Sequence, residues 1–421
     1  MDTSTTTGHV LNVDEMLQIW ADIEGLISPS WMTSVPSNLG TASHGKLKAD
    51  QWRALGTIFL PLSLIHLWGI AESSEPRSSC CRQILDLTIS LASAVIIATS
   101  HSITTAHAEA YLQYMLQYLN GMKELFPEYN LHPNHHMALH IHEFLLLFGP
   151  VHSWWTFPFE RMIGALQRMP HNDKIGQSFK TFQVKSESNT PSLGELEESI
   201  ARAYTRSANL RAILHKSNCP EVIRHSETMF RKLIDPQLRD TLTVDIRVLS
   251  ALVQELPEEG ETQAATSLEP LPQDLKKAFT LAGINVPANG QLLANLSFKG
   301  VTYSTSTKHL GNSCILISPA NDLDGEPVVP AQITYLVQFF NSDTRMTYFG
   351  VRRHKAAAVL HDPYSRYPDI RAQLWDAQLE DLENFLPSQV IAHFACLPLE
   401  VEQKKLLVVL SLSRVSLAQA L

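Results

Sequence analysis

Apolar residues recur at helical spacing through the first half of the chain. In residues 11–23, Met16, Trp20 and Ile23 fall on one side of a short helix. Residues 27–40 read as a loop broken by Pro29 and Pro36, with Trp31 either docked on the next domain or exposed in a loose segment. Residues 46–59 predict a helix with Trp52, Leu55 and Phe59 inward. Pro61 bends or restarts it, and Gly69 ends the run 62–68. Residues 82–100 predict a buried helix. Residues 104–121 predict another, packed through Tyr111, Met115, Leu116, Tyr118 and Leu119.

The stretch 131–168 carries the most unusual pattern. Pro133 suits a first helical turn, and Asn134 suits a cap for a slightly later start. Met137, Ile141, Phe144, Leu145 and Phe148 keep helical spacing until Gly149-Pro150 stops it. His136 and His140 are four apart on one face, with Glu143 three beyond. That spacing can hold a divalent metal, although it is not the H-E-x-x-H zinc motif. The same groups equally suit a structural polar cluster, hydrogen-bonded or facing solvent. Trp154, Trp155, Phe157 and Phe159 then lead into Glu160-Arg161, and Met162, Ile163, Leu166 and Met169 continue an amphipathic helix. A carboxylate at that place either fixes a helix start or joins converging acids around a metal.

Residues 170–191 are weakly patterned, and 196–214 form a last helix with a solvated face. Residues 255–270 read as a linker, and 271–282 as a short helix. From 296 onward the period changes. Residues 296–303, 313–318, 331–340, 347–351 and 404–412 read as short strands. The fold class is therefore α+β: an N-terminal helical bundle followed by a small, mostly β barrel-like or curled-sheet domain. The expected division is an N-terminal extension 1–43, a helical domain 44–219, a helical and acidic linker region 220–290 and a β-rich domain 291–421.

A length of 421 residues, 44% of them hydrophobic, is enough for two cored domains. The net charge of -9 argues against a dominant basic nucleic-acid surface. Two local groups remain as DNA or structural contacts: Lys46, Lys48 and Arg53, and Arg202, Arg206 and Arg211. Five scattered cysteines without a CxxC pair speak for a reducing compartment, not a zinc ribbon or disulfide framework. The first residues lack a signal-peptide pattern, and the apolar run 85–99 is too short and polar for a membrane span. No Gly-rich phosphate loop, Rossmann fingerprint or GxSxG elbow is present.

Several segments together resemble one family. HGKLKADQW (44–52), LPLSLIHLWG (60–69), PNHHMALHIHEFLLLFGPVHSWWTFPFERMIGALQR (133–168) and ANLRAIL (208–214) are similar to the helical region downstream of the catalytic core in fungal CACTA (En/Spm-like) transposases. DPYSRYPDI (362–370) and QVIAHFACLPL (389–399) resemble the C-terminal part of those proteins, beyond that helical region. The resemblance implies DNA cutting and joining by an RNase H-like fold with a metal-binding acidic triad. Glu160 is the position that matches the final, helix-borne acid, with Arg161 beside it. The chain departs from that pattern upstream, where residues 1–43 offer Asp14 and Asp22 without a strand set around them. It reads as the C-terminal portion of a transposase whose catalytic core and N-terminal DNA-binding finger are missing.

These residues leave three functions open. The first is a transposon-derived protein without enzymatic activity alone and without a cofactor. The second is a metal-dependent transposase or nuclease subunit using Mg²⁺ or Mn²⁺ at Glu160. The third is a protein-interaction scaffold. Expected partners are DNA or a transposase-related protein, with no membrane, in an intracellular setting that includes the nucleus.

Overall fold

Asn12 starts the first helix, α1 (Val13–Gly25). Its side chain accepts from Glu15 N at 2.8 Å, and the Glu15 carboxylate accepts from Asn12 N at 2.8 Å, a reciprocal capping box. Glu15 also accepts from the Trp68 indole (2.9 Å) and pairs with Arg77 (2.8 Å), so one acid fixes the helix start and ties it to two later elements. Asn12→Ala is expected to lower unit stability by about 1 kcal/mol, read as a lower urea midpoint at unchanged slope.

The computed structural model describes residues 10–41, 46–69, 76–156, 268–318, 328–341, 344–359, 361–401 and 404–412, with isolated positions between 205 and 221. Contacts group Met1–Trp154 with Glu258–Leu421 in one compact unit and Trp155–Pro257 in a second. The first unit therefore joins α1 and its neighbouring helices to the C-terminal strands. This division differs from the one read from composition because helices and strands share a core. Ile19, Ile23, Leu62 and Ile65 from the helices are buried with Leu397, Leu399, Val408 and Leu410 from the sheet.

After α1 come α2 (Ala49–Ala54), a π-helical turn (Leu55–Phe59) and α3 (Leu60–Trp68). Pro61 has no N–H to donate, and the wider turn just before it absorbs the missing bond. Trp52, expected inward, is 59% exposed, because the π turn shifts the helical phase and aims Leu55 and Phe59 inward without it. α4 (Pro76–Ala98) begins earlier than the pattern indicated. Its Arg77–Ala98 stretch is long and apolar enough to cross a membrane by length and composition, unlike the shorter run read from the sequence. Here Leu85 and Ile89 pack into the core with α3, and Ala94 and Ala98 pack against α5 (Thr105–Leu125). Leu116, expected to pack, is 43% exposed; the packing face of α5 is Ala108, Tyr111, Met115 and Leu119.

The C-terminal part is a closed six-stranded antiparallel β-barrel. The ring runs β6 (Val329–Asn341), β5 (Cys314–Ile317), β9 (Val390–Val401), β10 (Lys404–Ser411), β8 (Ala372–Phe385) and β7 (Thr344–Ala356), which pairs back onto β6. Two short strands, β1 (Glu269–Pro270) and β2 (Asn289–Leu293), extend β6 outside the ring. Register shifts in β6 and β7 supply the irregularities that let a sheet curl. All four residues of β5 are buried, so both faces of the wall are covered there. One cover of the barrel is α7 (Gln273–Leu281), whose Leu275, Ala278 and Phe279 pack on Val337, Phe339, Tyr348 and Leu382. Another is the hairpin β3 (Asn295–Phe298) and β4 (Val301–Ser304). The single strand expected over 296–303 is this hairpin, because Lys299 (φ 50°) and Gly300 (φ 72°) both take the left-handed conformation of a two-residue turn.

The N-terminal segment then zips onto the barrel. Ile27 pairs with Cys396 as an isolated antiparallel bridge, with N–H···O bonds of 2.9 Å in both directions. Ser30 N donates to Asn312 Oδ1 at 2.8 Å, and Asn312 Nδ2 donates to Ser30 Oγ at 3.0 Å. Asn312 sits in α8 (Leu310–Ser313), a single turn leading into β5.

Candidate functional site

Three of the residues singled out for chemistry, His136, His140 and Glu143, lie on α6 (Pro133–Phe148). Pro133 stands at its first turn and His132, in extended conformation, is the N-cap, so the helix starts earlier than the Asn134-capped alternative. His135 Nδ1 accepts from His132 N at 2.9 Å and closes that end. Gly149, with φ 72°, ends the helix in a conformation that favours glycine.

One face of α6 packs and the rest does not. Ala138, Ile141 and Leu145 lie against α4 and α5, and the buried Tyr111 hydroxyl donates to Ala138 O at 2.8 Å. Leu145 alone is fully buried. Met137, Phe144, Leu146, Leu147 and Phe148 are exposed, Leu147 at 71%. The apolar positions fill more of the circumference than the one neighbouring face covers. Phe144 still makes an edge contact to Trp154, with ring centroids 5.9 Å apart.

His136, His140 and Glu143 do come together on the solvent side. The two Nε2 atoms are 3.3 Å apart, and His140 Nδ1 lies 3.5 Å from Glu143 Oε2. The rings meet at 89° with centroids 4.9 Å apart. Among the described residues, no group of three or more His, Cys, Asp or Glu side chains is close enough to hold a metal ion on its own.

The basic cluster near α2 is partly neutralised. Lys46 and Lys48 are exposed, while Arg53 pairs with Asp50 at 2.8 Å. Lys48 N donates to Gln51 at 3.0 Å as the helix starts. Glu160, Arg202, Arg206 and Arg211 lie outside the described residues, as does the amphipathic run that follows Glu160.

Sequence reasoning passed over a second polar centre, where the N-terminal segment meets the barrel. His393 on β9 is buried and stacks on Tyr303 with centroids 4.8 Å apart. Its Nε2 lies 3.2 Å from Asn312 O, and the Trp31 indole N–H points at its Nδ1 from 3.4 Å. An indole only donates, so Nδ1 is the bare acceptor and Nε2 carries the proton. The imidazole is thus neutral, and burial first, with His309 adding repulsion, pushes its pKa down to about 4 against the help of Asn312. Trp31 is accordingly tethered through its indole N–H, while the residue stays 43% exposed. The signal was available in QVIAHFACLPL: a histidine in an apolar strand-like run needs partners.

Nearby, Cys314 and Cys396 are buried and free. A hydrogen bond with Cys314 and burial hold the Cys396 thiol well above its ordinary range, which keeps it protonated and unreactive. A shallow recess between α4 and the turn before β8 is lined by Ile96, Ile97, Ser100, His107, Asp369 and Arg371. Asp369 there accepts from the Tyr114 hydroxyl, and burial followed by that bond pushes the tyrosine up to about 12.

Comparison with known proteins adds no relative: no family model, no curated protein and no solved structure matches this chain.

Proposed function

We propose that this chain is a transposon-derived protein that acts as a binding or scaffold component and does not cut DNA by itself. The origin rests on the resemblance of 44–219 and 362–399 to CACTA transposases. The absence of self-contained chemistry rests on one observation, the way its carboxylates are used.

Metal-dependent strand cleavage needs carboxylates that converge on the ions. Among the described residues of the first unit, several acids are instead spent on joining elements. Asp22 in α1 is buried, accepts from Gln18 at 2.8 Å and faces His66 at 3.4 Å. Asp86 accepts from the Tyr367 hydroxyl at 2.6 Å and from Arg366 at 3.0 Å, tying α4 to the turn before β8. Asp362 accepts from the backbone N–H groups of Tyr364 and Leu374, both at 2.9 Å. Glu383 pairs with Arg353 across β8 and β7 at 2.6 Å. Each carboxylate is a fastener between a different pair of segments, which serves a scaffold. On this reading the partner is DNA or a transposase-related protein carrying the missing core, in an intracellular setting that includes the nucleus.

The test uses purified full-length chain and terminal-repeat DNA with Mg²⁺ or Mn²⁺. Nicking and strand transfer are expected to stay at the level of the EDTA control. Robust cleavage that disappears in Glu160→Gln would replace this proposal with the metal-dependent transposase or nuclease reading.

A further inference from the structure

We propose that His136 and His140 chelate one divalent transition-metal ion of the zinc class on the solvent face of α6, and that Glu143 positions His140 for the task. The inference is independent of the scaffold reading, since neither depends on the other.

The distance between the two nitrogens is the first argument. A zinc ion binds imidazole nitrogen at about 2.0–2.1 Å with tetrahedral angles, which sets neighbouring ligand nitrogens about 3.3–3.4 Å apart. The two Nε2 atoms stand at 3.3 Å, where they share a hydrogen bond. With His140 protonated on Nδ1, His136 is the donor and must move its proton to Nδ1 to take an ion. Nε2 is one of the two imidazole nitrogens that ligate metals, and both atoms belong to the same helix, four residues apart. The helix therefore holds the spacing without help from a loop. That rigidity matters because α6 is anchored on its other face by Leu145 and by the Tyr111–Ala138 bond.

The tautomer is the second argument. An imidazole ligating through Nε2 must carry its proton on Nδ1, and metal-binding histidines commonly donate that proton to a carboxylate. His140 Nδ1 faces Glu143 Oε2 at 3.5 Å. A proton on that nitrogen leaves the His140 Nε2 lone pair on the side of His136. Glu143 is a positioning residue here and contributes no ligand.

The chemistry of the donors selects the ion. Two imidazoles suit Zn²⁺, Ni²⁺, Co²⁺ or Cu²⁺, whereas Mg²⁺ and Ca²⁺ want oxygen. Two protein ligands leave the remaining positions to water, in keeping with the exposure of His136 and the lack of a third ligand among the described residues.

The experiment is a Zn²⁺ titration of tag-free full-length chain against a chromogenic chelator, with Co²⁺ absorption as a ligand-field readout. Alanine at both positions favours the helix, and far-UV circular dichroism verifies the fold of each variant. The wild type is expected to bind one equivalent more than the His136→Ala/His140→Ala double variant. Glu143→Gln is expected to weaken that equivalent about tenfold. Added Zn²⁺ should raise the melting temperature of the wild type more than that of the double variant, because the ion bridges one helical turn. Equal stoichiometry in wild type and double variant would overturn the site. An unchanged affinity in Glu143→Gln would overturn the positioning role.

Discussion

Gly311→Ala is expected to detach the N-terminal segment from the barrel and to destabilise the first unit by on the order of 3 kcal/mol. A Cβ at Gly311 would lie 1.8 Å from Ser28 O, 2.3 Å from Ser28 C and 3.0 Å from Pro29 N. These are backbone atoms, so no rotamer change relieves the overlap. The segment that must retreat is the one that makes the Ile27–Cys396 bridge and the paired Ser30–Asn312 bonds. Those contacts fail together, because they share one short run of backbone. Chemical denaturation should show the loss as a lower midpoint. Gly56→Ala is the control: an added methyl there meets nothing within 4 Å, and stability should hold or rise by up to about 1 kcal/mol. A Gly311→Ala protein as stable as Gly56→Ala would mean that this close approach does not exist in solution.

Acidification is expected to cost the first unit up to about 3 kcal/mol through His393 alone. The folded-state pKa is depressed from 6.5 to about 4. Above about pH 6.5 the imidazole is neutral in both folded and unfolded chains, and its stabilisation is fully present. Between 6.5 and 4 the unfolded chain takes up a proton that the folded chain refuses, so stability falls as pH falls. Below about 4 both states are protonated and this contribution is lost. The structural cause is the donor facing Nδ1: a proton there would confront the Trp31 N–H in a buried site. His354 on β7 is also depressed by burial, despite its bond to Asp376 O, and titrates with the same sign. The measurement is therefore a difference. Between about pH 7.5 and 4.5, the unfolding free energy of the wild type should fall by about 3 kcal/mol more than that of His393→Gln. Parallel profiles would show that His393 is not the group responsible.

Helical periodicity placed α1, α3, α5 and α6 within a few residues and found α4 except for its first turns, because each buries a face or a stripe that recurs with the helical turn. Much less of the sheet was legible. β8 carries Asp376, Glu380, Asp381 and Glu383, residue types that strands disfavour, and it is a strand because β7 and β10 bond to it on both sides. β9 is interrupted by Pro398, which reads as a break in a local pattern. Its place is set by β5, far from it in sequence, and β10, next to it, which cover its two edges.

The candidate chemistry divides in the same way. That His136, His140 and Glu143 share a helix face follows from their numbers alone, since one helix fixes neighbours three and four apart. That the face looks into solvent was decided by packing. Tyr111, Met115 and Leu145 occupy the opposite side, and no periodicity states which of two apolar faces a neighbour will cover. The centre at His393 needed tertiary structure entirely. Trp31, Tyr303, Asn312 and His393 come from an N-terminal loop, a hairpin, a single helical turn and a barrel strand, as many as 362 positions apart. Hydrogen bonds across such separations leave no mark in local pattern. Only the closing of the barrel and the docking of residues 27–31 bring them within reach. Sequence by itself thus determined α1, α3, α5 and α6, the α+β class and the shared face on α6, all of which rest on neighbours along the chain. Tertiary structure decided the strand partners, the exposed side of α6 and the buried histidine, which rest on which distant surfaces exclude water from one another.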